Sequence, residues 1–183
     1  VKNDILIIGP ELSRAFYDEL SGQARKYWIR SPKEFVLYVN LLVPSSNPDG
    51  RYSAIVYKDN KLVGGLDGKR SAWNAYYENF AGDNYFKGPE YRTNAAAGDY
   101  QIVVFSDNNR GKYVLAVGEK EEWPLGETIR SLIQLPKLKT EFFGTPAWPL
   151  LFTPMGIFYW IALAILLLAA FIIWKLLRKK RHG

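Results

Sequence analysis

Residues 34–43 read EFVLYVNLLV, and this decapeptide decides how the N-terminal part of the chain folds. Apolar residues recur at every second position, which is the period of a β-strand with one buried face. A dense turn signal, PSSNPDG, follows at residues 44–50, and residues 51–58 (RYSAIVYK) resume the alternation. A short turn then leads into Leu62 and Val63. We therefore predict a three-stranded meander in this region.

Further strands are predicted on both sides of this meander. Residues 99–105 (DYQIVVF) and 112–117 (KYVLAV) flank the sequence SDNNRG, whose Asp, Asn and Gly residues tolerate positive φ, so we predict a second hairpin there. Shorter strands are expected at residues 5–8 and 27–30. This density of strands, with no regular alternation of helices, predicts a mainly β fold for residues 1–123, namely an antiparallel β-sandwich of the jelly-roll type.

The stretch from residue 73 to residue 91 (WNAYYENFAGDNYFKGPEY) is the least regular part of this domain. Its first aromatic residues are spaced as on a helix, and a Gly- and Pro-rich loop follows. Three interpretations are open: the aromatic side chains cap the core, form a protein interface, or stack on a glycan or another ligand. The candidate binding residues are Trp73, Tyr76, Tyr77, Tyr85, Phe86 and Tyr91.

Two neighbouring segments carry a family resemblance, namely AGDYQIVVFSDN at residues 97–108 and GKYVLAVGE at residues 111–119. Over about 25 residues they resemble the closing hairpin of extracytoplasmic β-sandwich modules of the pre-peptidase C-terminal type, found in bacteria and archaea. They are similar, more faintly, to the last strands of the Golgi-dynamics domain of cargo receptors. The resemblance implies a jelly-roll-like module that binds or packs, and it lends the chain no catalytic residue.

Residues 155–174 (MGIFYWIALAILLLAAFIIW) contain no charged side chain. At about 1.5 Å per residue, such a helix spans roughly 30 Å, which is the thickness of the hydrocarbon core of a bilayer. We therefore predict one transmembrane helix at residues 154–174. The aromatic residues expected at its two interfaces with water are Trp148, Tyr159, Trp160 and Trp174.

The distribution of charge predicts the orientation of this helix. The net charge is +6, but five of the 24 basic residues lie in the tail at residues 175–183, which leaves 19 basic against 18 acidic residues before it. The nearly neutral body argues against nucleic-acid binding. The positive-inside rule places the tail in the cytoplasm and the N-terminal domain outside, in the periplasm or the extracellular space. The tail residues expected at the membrane, where anionic lipid headgroups are possible partners, are Lys175, Arg178, Lys179, Lys180 and Arg181.

Residues 124–153 connect the sandwich to the span. The sequence LGETIRSLIQL at residues 125–135 predicts a short amphipathic helix, lying on the sandwich or at the membrane surface. Its apolar face comprises Leu125, Ile129, Leu132 and Ile133. The prolines that follow predict a short, stiff connector close to the membrane. Because the domain before the span is expected outside and the chain begins at Val1, we also expect that a signal peptide is cleaved from it.

The chain contains few of the groups that most enzymes use. It has no cysteine and one histidine, His182, which excludes disulfides, thiolate metal sites and a Ser-His-Asp triad in the folded part. A glycosidase-type carboxylate pair, or a calcium site with Asn84, would need acids near the aromatic stretch. We interpret these acids as solvated loop residues; they are Asp67, Glu78, Asp83 and Glu90.

Together these features predict a non-enzymatic, single-pass protein of the cell membrane, without a cofactor, a metal ion or a catalytic residue. We expect it to be an accessory or structural subunit of a larger membrane protein complex, packing through its outer sandwich and its span. Its expected partners are the lipid bilayer and other membrane protein subunits. The alternative is a receptor-like surface module that binds a glycan or a small ligand through residues 73–91.

Overall fold

The structure, a computed structural model, describes residues 4–122 and 125–181, and these residues form two compact units. The first unit, which we call the sandwich, falls within Val1–Tyr77 and Asn84–Pro124. The second, which we call the anchor unit, falls within Glu78–Asp83 and Leu125–Gly183. The short segment Glu78–Asp83 therefore lies between two parts of the sandwich in sequence but belongs to the anchor unit.

The sandwich consists of two five-stranded sheets, which confirms the predicted fold class. The first sheet contains, in spatial order, β1 (Ile5–Ile7), β3 (Arg25–Ser31), β9 (Gly98–Phe105), β5 (Ser53–Lys58) and β6 (Lys61–Leu66). The second contains β2 (Arg14–Ser21), β10 (Arg110–Val117), β4 (Phe35–Pro44), β8 (Asp83–Ala95) and β7 (Asn74–Glu78). The strand β1 runs parallel to β3, whereas the pairs around the central strands β9, β10 and β4 are antiparallel.

The alternation that opened the sequence is confirmed in β4. Its inward-facing residues are all buried in the sandwich core, and they are Phe35, Leu37, Val39, Leu41 and Val43. They pack with buried residues of the other sheet, among them Ile102 and Val104 of β9. Removing this apolar surface from water, at about 25 cal/mol per Å², is the main force that holds the two sheets together.

Two of the predicted strand pairings are wrong, although the strands exist. β9 pairs with β3 and β5, whereas β10 pairs with β2 and β4, so the SDNNRG segment crosses from one sheet to the other instead of closing a hairpin. In the same way β4 and β5 lie in different sheets, and only β5 and β6 form the expected hairpin. The reason is that a period of two specifies one buried face, and both sheets of a sandwich offer a partner for such a face.

The helical spacing inferred for the aromatic stretch is also wrong. Residues 73–91 form the edge strand β7, the loop 78–83 and the first part of β8. The tyrosines of β7 favour strands, and the pairing of β7 with β8 prevails over the helical spacing. The loop turns back because the Glu78 carboxylate accepts hydrogen bonds from the amides of Phe80 and Ala81, at 2.6 and 2.8 Å.

The C-terminal elements of the anchor unit are helical. The predicted amphipathic helix is present as α1 (Leu125–Leu138), followed by a π-helical segment (Lys139–Phe143) and a 3₁₀ helix (Trp148–Phe152). The connector is thus folded into short helical turns. The apolar helix α2 (Gly156–Arg181) begins two residues after the predicted start at 154. It also continues beyond the predicted end at 174, because Lys and Arg favour helices and complement the negative C-terminal end of the helix dipole.

Candidate functional site

The most exposed apolar surface of the chain belongs to α2. Over Gly156–Arg178, 23 residues long, the mean hydropathy of its most apolar window is 2.7, and only 6% of that window is buried within the chain. Large side chains such as Leu167 and Phe171 are exposed. Among the described residues this is the one helix long and apolar enough to cross a membrane. A helix that is apolar all round needs lipid or protein to cover it.

The predicted interface aromatics lie near both ends of this helix. Trp148 and Phe152 are exposed and stack edge to face, with ring centroids 6.1 Å apart. Trp160 donates its indole N–H to the Leu151 carbonyl oxygen at 3.0 Å, which directs its ring back towards the start of α2. At the other end the Arg178 guanidinium lies 5.4 Å from the centre of the Trp174 ring.

The remaining residues of the predicted membrane interface fall into two groups. Tyr159 is half-buried, and Lys175 is exposed near the C-terminal end of α2. The side chains of Lys179, Lys180 and Arg181 lie outside the part of the chain that the structure describes.

A small apolar core holds the anchor unit together around the start of α2. Its buried members are Ala81, Leu135, Leu150 and Met155, and they are packed against by Phe80, Leu132, Leu138, Ala147 and Tyr159. The Met155 amide donates a hydrogen bond to the Phe80 carbonyl oxygen at 3.1 Å. Apolar contacts and a backbone hydrogen bond therefore hold the loop 78–83 against the residues that precede the span.

A buried ion pair joins the same loop to the π-helical segment. The Lys139 ammonium donates to Asp83 Oδ1 at 2.6 Å and to the Gly82 carbonyl oxygen at 3.0 Å. The two side chains are only 5% and 4% exposed, and Asp83 Oδ2 is buried without a hydrogen-bond partner. Burial raises the pKa of the Asp83 carboxyl, and the Lys139 ammonium opposes that rise. The expectation that Asp83 is a solvated loop residue is wrong, and no pattern in the sequence predicts a role for Lys139.

The other three predicted loop acids bind local partners, and Glu90 lies within the strand β8, so its predicted loop location is wrong. The Asp67 carboxylate accepts from the amides of Lys69 and Arg70 at 3.0 and 3.2 Å, and Glu78 closes its own loop. Glu90 accepts from the Tyr38 hydroxyl at 2.9 Å and pairs with Lys87, and both partners lower the pKa of its carboxyl. Within residues 4–122 and 125–181, no cluster of three or more His, Asp or Glu residues is placed to hold a metal ion.

The structure divides the six aromatic candidates of residues 73–91 into two sets. Four are enclosed: Trp73, Phe86 and Tyr91 are half-buried and pack against the sandwich core, and Tyr85 is buried. Hydrogen bonds fix three of these side chains: Trp73 to the Gly68 carbonyl, Tyr91 to the Val63 carbonyl, and Tyr85 to the Tyr17 hydroxyl. In contrast, Tyr76 and Tyr77 are 43% and 52% exposed on the edge strand β7. Successive residues of a strand point to opposite faces, so these two do not form one flat platform.

The most strongly perturbed tyrosines lie inside the sandwich. Tyr27 and Tyr113 are fully buried and share a hydrogen bond of 2.7 Å between their hydroxyl oxygens. Asp18, which pairs with Arg25 at 2.8 Å, lies 3.4 Å from the Tyr27 hydroxyl. Burial raises the pKa of both tyrosines well above the usual range. Groups enclosed in this way stabilise the core and have no access to a substrate.

A shallow groove that the sequence does not predict lies beside the edge strand β1. It has a volume of about 570 Å³ and a mainly apolar lining that includes Leu6, Ile8 and Pro32. The polar groups at its rim, Arg30 and Asp99, pair with each other at 2.9 Å. Leu6 and Ile8 are largely exposed, and the only signal in the sequence was the apolar run at residues 5–8.

Comparison with protein-family models and with curated proteins gave no match. Among solved structures, the chain is similar to the pre-peptidase C-terminal domain of a collagenase from Bacillus anthracis. The identity is 12% and the TM-score 0.40, over 64% of this chain and 95% of that domain. It is also similar to a β-glucosidase from Paenibacillus barengoltzii, at 9% identity and a TM-score of 0.28, over 62% of this chain but only 11% of that protein. The predicted resemblance to modules of the pre-peptidase C-terminal type is confirmed, while the β-sandwich assignment rests on the two sheets themselves.

Proposed function

We propose that the protein is a single-pass protein of the cell membrane that acts as an accessory or structural subunit of a larger membrane protein complex. In this proposal it has no catalytic activity and needs no cofactor. The observation that carries it is the apolar surface of α2, of which the chain itself buries only 6% over the most apolar window. Lipid and the helices of neighbouring subunits are the surroundings that match such a surface.

The proposed orientation places the sandwich outside, in the periplasm or the extracellular space, and the basic end of α2 in the cytoplasm. It rests on the positive-inside rule, because Lys175 and Arg178 begin a basic cluster that the other flank of the span lacks. Anionic headgroups of the inner leaflet would then lie opposite the basic tail. The absence of cysteine makes the topology easy to test, because any introduced cysteine is the only thiol.

The sandwich supports a packing role because exposed apolar groups lie at its sheet edges. Leu6 and Ile8 line the groove at β1, and Tyr76 and Tyr77 are exposed on β7. Edge strands offer unpaired backbone groups to other chains, and Tyr is common at protein interfaces. Asp83 binds Lys139, and Tyr27 binds Tyr113. Buried side chains that bind each other in this way suit a structural role better than catalysis.

The test of the subunit role is native mass spectrometry of the protein extracted from its own membranes in mild detergent. We expect a stoichiometric complex of defined mass that contains this chain, whereas a free monomer under all mild conditions would contradict the subunit role. The orientation is tested on intact cells or spheroplasts with a membrane-impermeant maleimide. Asn60→Cys in the β5–β6 turn should react and Lys180→Cys should not. The reverse pattern would contradict the proposed topology.

A second candidate function, glycan or small-ligand binding, is favoured only by the exposure of Tyr76 and Tyr77. Exposed tyrosine rings on a β-sheet stack well on sugar rings. Glycan-array binding that is lost in Tyr77→Ala but kept in Leu62→Ala, an exposed apolar control on the other sheet, would favour this candidate. The absence of binding by the unaltered protein would remove it.

A further inference from the structure

The helix α1 has a face that packs within the anchor unit and, beside it, an apolar stripe that the unit leaves exposed. Thr128 and Leu135 are buried, and Leu132 packs against the apolar core of the unit. The next stripe, about 100° further around the helix, consists of Ile129 and Ile133, which are 49% and 73% exposed. The sequence pattern predicts one face of Leu125, Ile129, Leu132 and Ile133, but the structure separates Leu132 from Ile129 and Ile133. The side chain of Leu125 lies outside the part of the chain that the structure describes.

A hydrogen bond fixes the position of α1 along the axis of α2. The Tyr159 hydroxyl donates to the Leu132 carbonyl oxygen at 2.5 Å. Because Tyr159 is the fourth residue of α2, it lies about 4.5 Å from the start of that helix. The middle of α1, where Leu132 and Ile133 are adjacent, therefore lies beside the first turn of α2.

The length of the span gives the depth of the first turn of α2 in the membrane. The 23 residues of Gly156–Arg178 extend about 34 Å, slightly more than the roughly 30 Å of the hydrocarbon core. The first turn of α2 then lies at the boundary between acyl chains and headgroups. The exposed pair Trp148 and Phe152, on the 3₁₀ helix that leads into α2, lies near the same end.

We propose that α1 is an interfacial helix whose Ile129–Ile133 stripe is buried in the outer surface of the lipid bilayer. The proposal rests on the proposed membrane insertion of α2. Arg130 and Lys137, both exposed, flank the stripe on the side away from the buried face. Basic side chains in this position reach lipid phosphates while their alkyl stems cover apolar surface, as in other interfacial helices. This charge pattern favours lipid over a protein partner as the cover of the stripe.

The absence of cysteine allows the environment of each position to be probed with one fluorophore. Ile133→Cys, Ser131→Cys and Leu167→Cys are labelled with an environment-sensitive nitrobenzoxadiazole group in the full chain, reconstituted in nanodiscs of phosphatidylcholine and phosphatidylglycerol. Ser131 is the matched control, since it is exposed but lies about 200° around the helix from Ile133. Leu167 is the reference near the middle of the span. Quenching is measured with doxyl-labelled lipid and, separately, with aqueous iodide.

We expect doxyl lipid to quench the label at position 133 severalfold more strongly than the label at position 131, and iodide to show the opposite order. Iodide quenching at 133 equal to that at 131 would overturn the proposal, and so would protection from both quenchers, which indicates a protein cover. In either case strong quenching at 167 by doxyl lipid would leave the membrane anchor standing. No lipid quenching at 167 would instead overturn the anchor and this inference together. Matching circular dichroism spectra for the three variants verify that each is folded.

Discussion

Replacing Lys139 with methionine leaves the Asp83 carboxylate buried without its counterion. The ammonium supplies the bond to Asp83 Oδ1 at 2.6 Å, and Asp83 Oδ2 already has no hydrogen-bond partner. The Asp83 carboxylate of the variant would therefore lose the Lys139 ammonium in a site where its own side chain is 4% exposed. Removing one member of a buried pair costs about 3–5 kcal/mol, because the remaining charge is neither solvated nor paired.

This cost should appear as a local opening of the loop 78–83. Opening free energies are read from hydrogen exchange of the amides that close in the native loop, namely those of Phe80 and Ala81, together with that of Met155. At 1.36 kcal/mol per factor of ten, we expect exchange to become about a hundredfold to several thousandfold faster in Lys139→Met. The measurement is made on the full chain in detergent by mass spectrometry.

Lys137→Met is the matched control for this substitution. Lys137 lies two residues earlier, is 73% exposed and pairs with Glu141 only at 3.8 Å. An exposed pair of this kind contributes about 0.5 kcal/mol or less, so exchange in the loop should hardly change. Equal effects of the two substitutions would refute the reasoning that burial, and not charge alone, makes the Lys139–Asp83 pair important.

The double variant Lys139→Met, Asp83→Asn supplies a second check. Each single substitution leaves one buried charge unpaired, whereas the double variant leaves none, so its cost should be well below the sum of the two. Additive costs would show that the two side chains do not act as a pair.

The dependence on pH has a definite sign. Without the ammonium, burial raises the pKa of Asp83 further above its unfolded value of about 3.9. Between these two pKa values the folded variant binds more protons than the unfolded chain, so its stability falls as the pH rises through that interval. Lowering the pH from neutral into that interval should therefore recover part of the loss in Lys139→Met and none in Lys137→Met.

Three further predictions concern the sandwich. Gly64→Ala would place a Cβ atom 2.4 Å from the Tyr91 ring, so we expect a loss of about 1–3 kcal/mol in urea unfolding, and an unchanged free energy of unfolding would contradict this close approach. Tyr113→Phe removes one hydroxyl of the buried pair and should cost about 1–2 kcal/mol, measured in the same way; a neutral result would contradict a role for that bond. Because the raised pKa values of Tyr27 and Tyr113 keep both protonated when folded, stability should fall above about pH 10, and their ionisation should appear in ultraviolet absorbance only on unfolding.

Several elements were predictable because a property of the local sequence defines them. The alternation in residues 34–43 predicts β4 and its buried face, and the amphipathic period of residues 125–135 predicts α1. The continuous apolar run at residues 155–174 predicts α2 without reference to any other part of the chain. In each case the period or the length of the apolar pattern is matched to one kind of environment.

Partner choice was not predictable in the same way. β9 and β10 follow each other in sequence yet join different sheets, because each has a buried face that either sheet accommodates. The Lys139–Asp83 pair joins residues 56 positions apart, and no local pattern distinguishes these two side chains from solvated ones. The same holds for Tyr85, which is buried, and Tyr76, which is exposed, in one aromatic stretch.

The sequence by itself thus determined that the chain has strands with one buried face, an amphipathic helix and one apolar helix of membrane length. Only the tertiary structure decided which strands pair, that Asp83 is buried against Lys139, and that Ile129 and Ile133 form a stripe separate from the packed face of α1. The physical reason is the range of the interactions. Hydropathy and its period act over neighbouring residues, whereas burial of a particular side chain depends on which distant segment covers it.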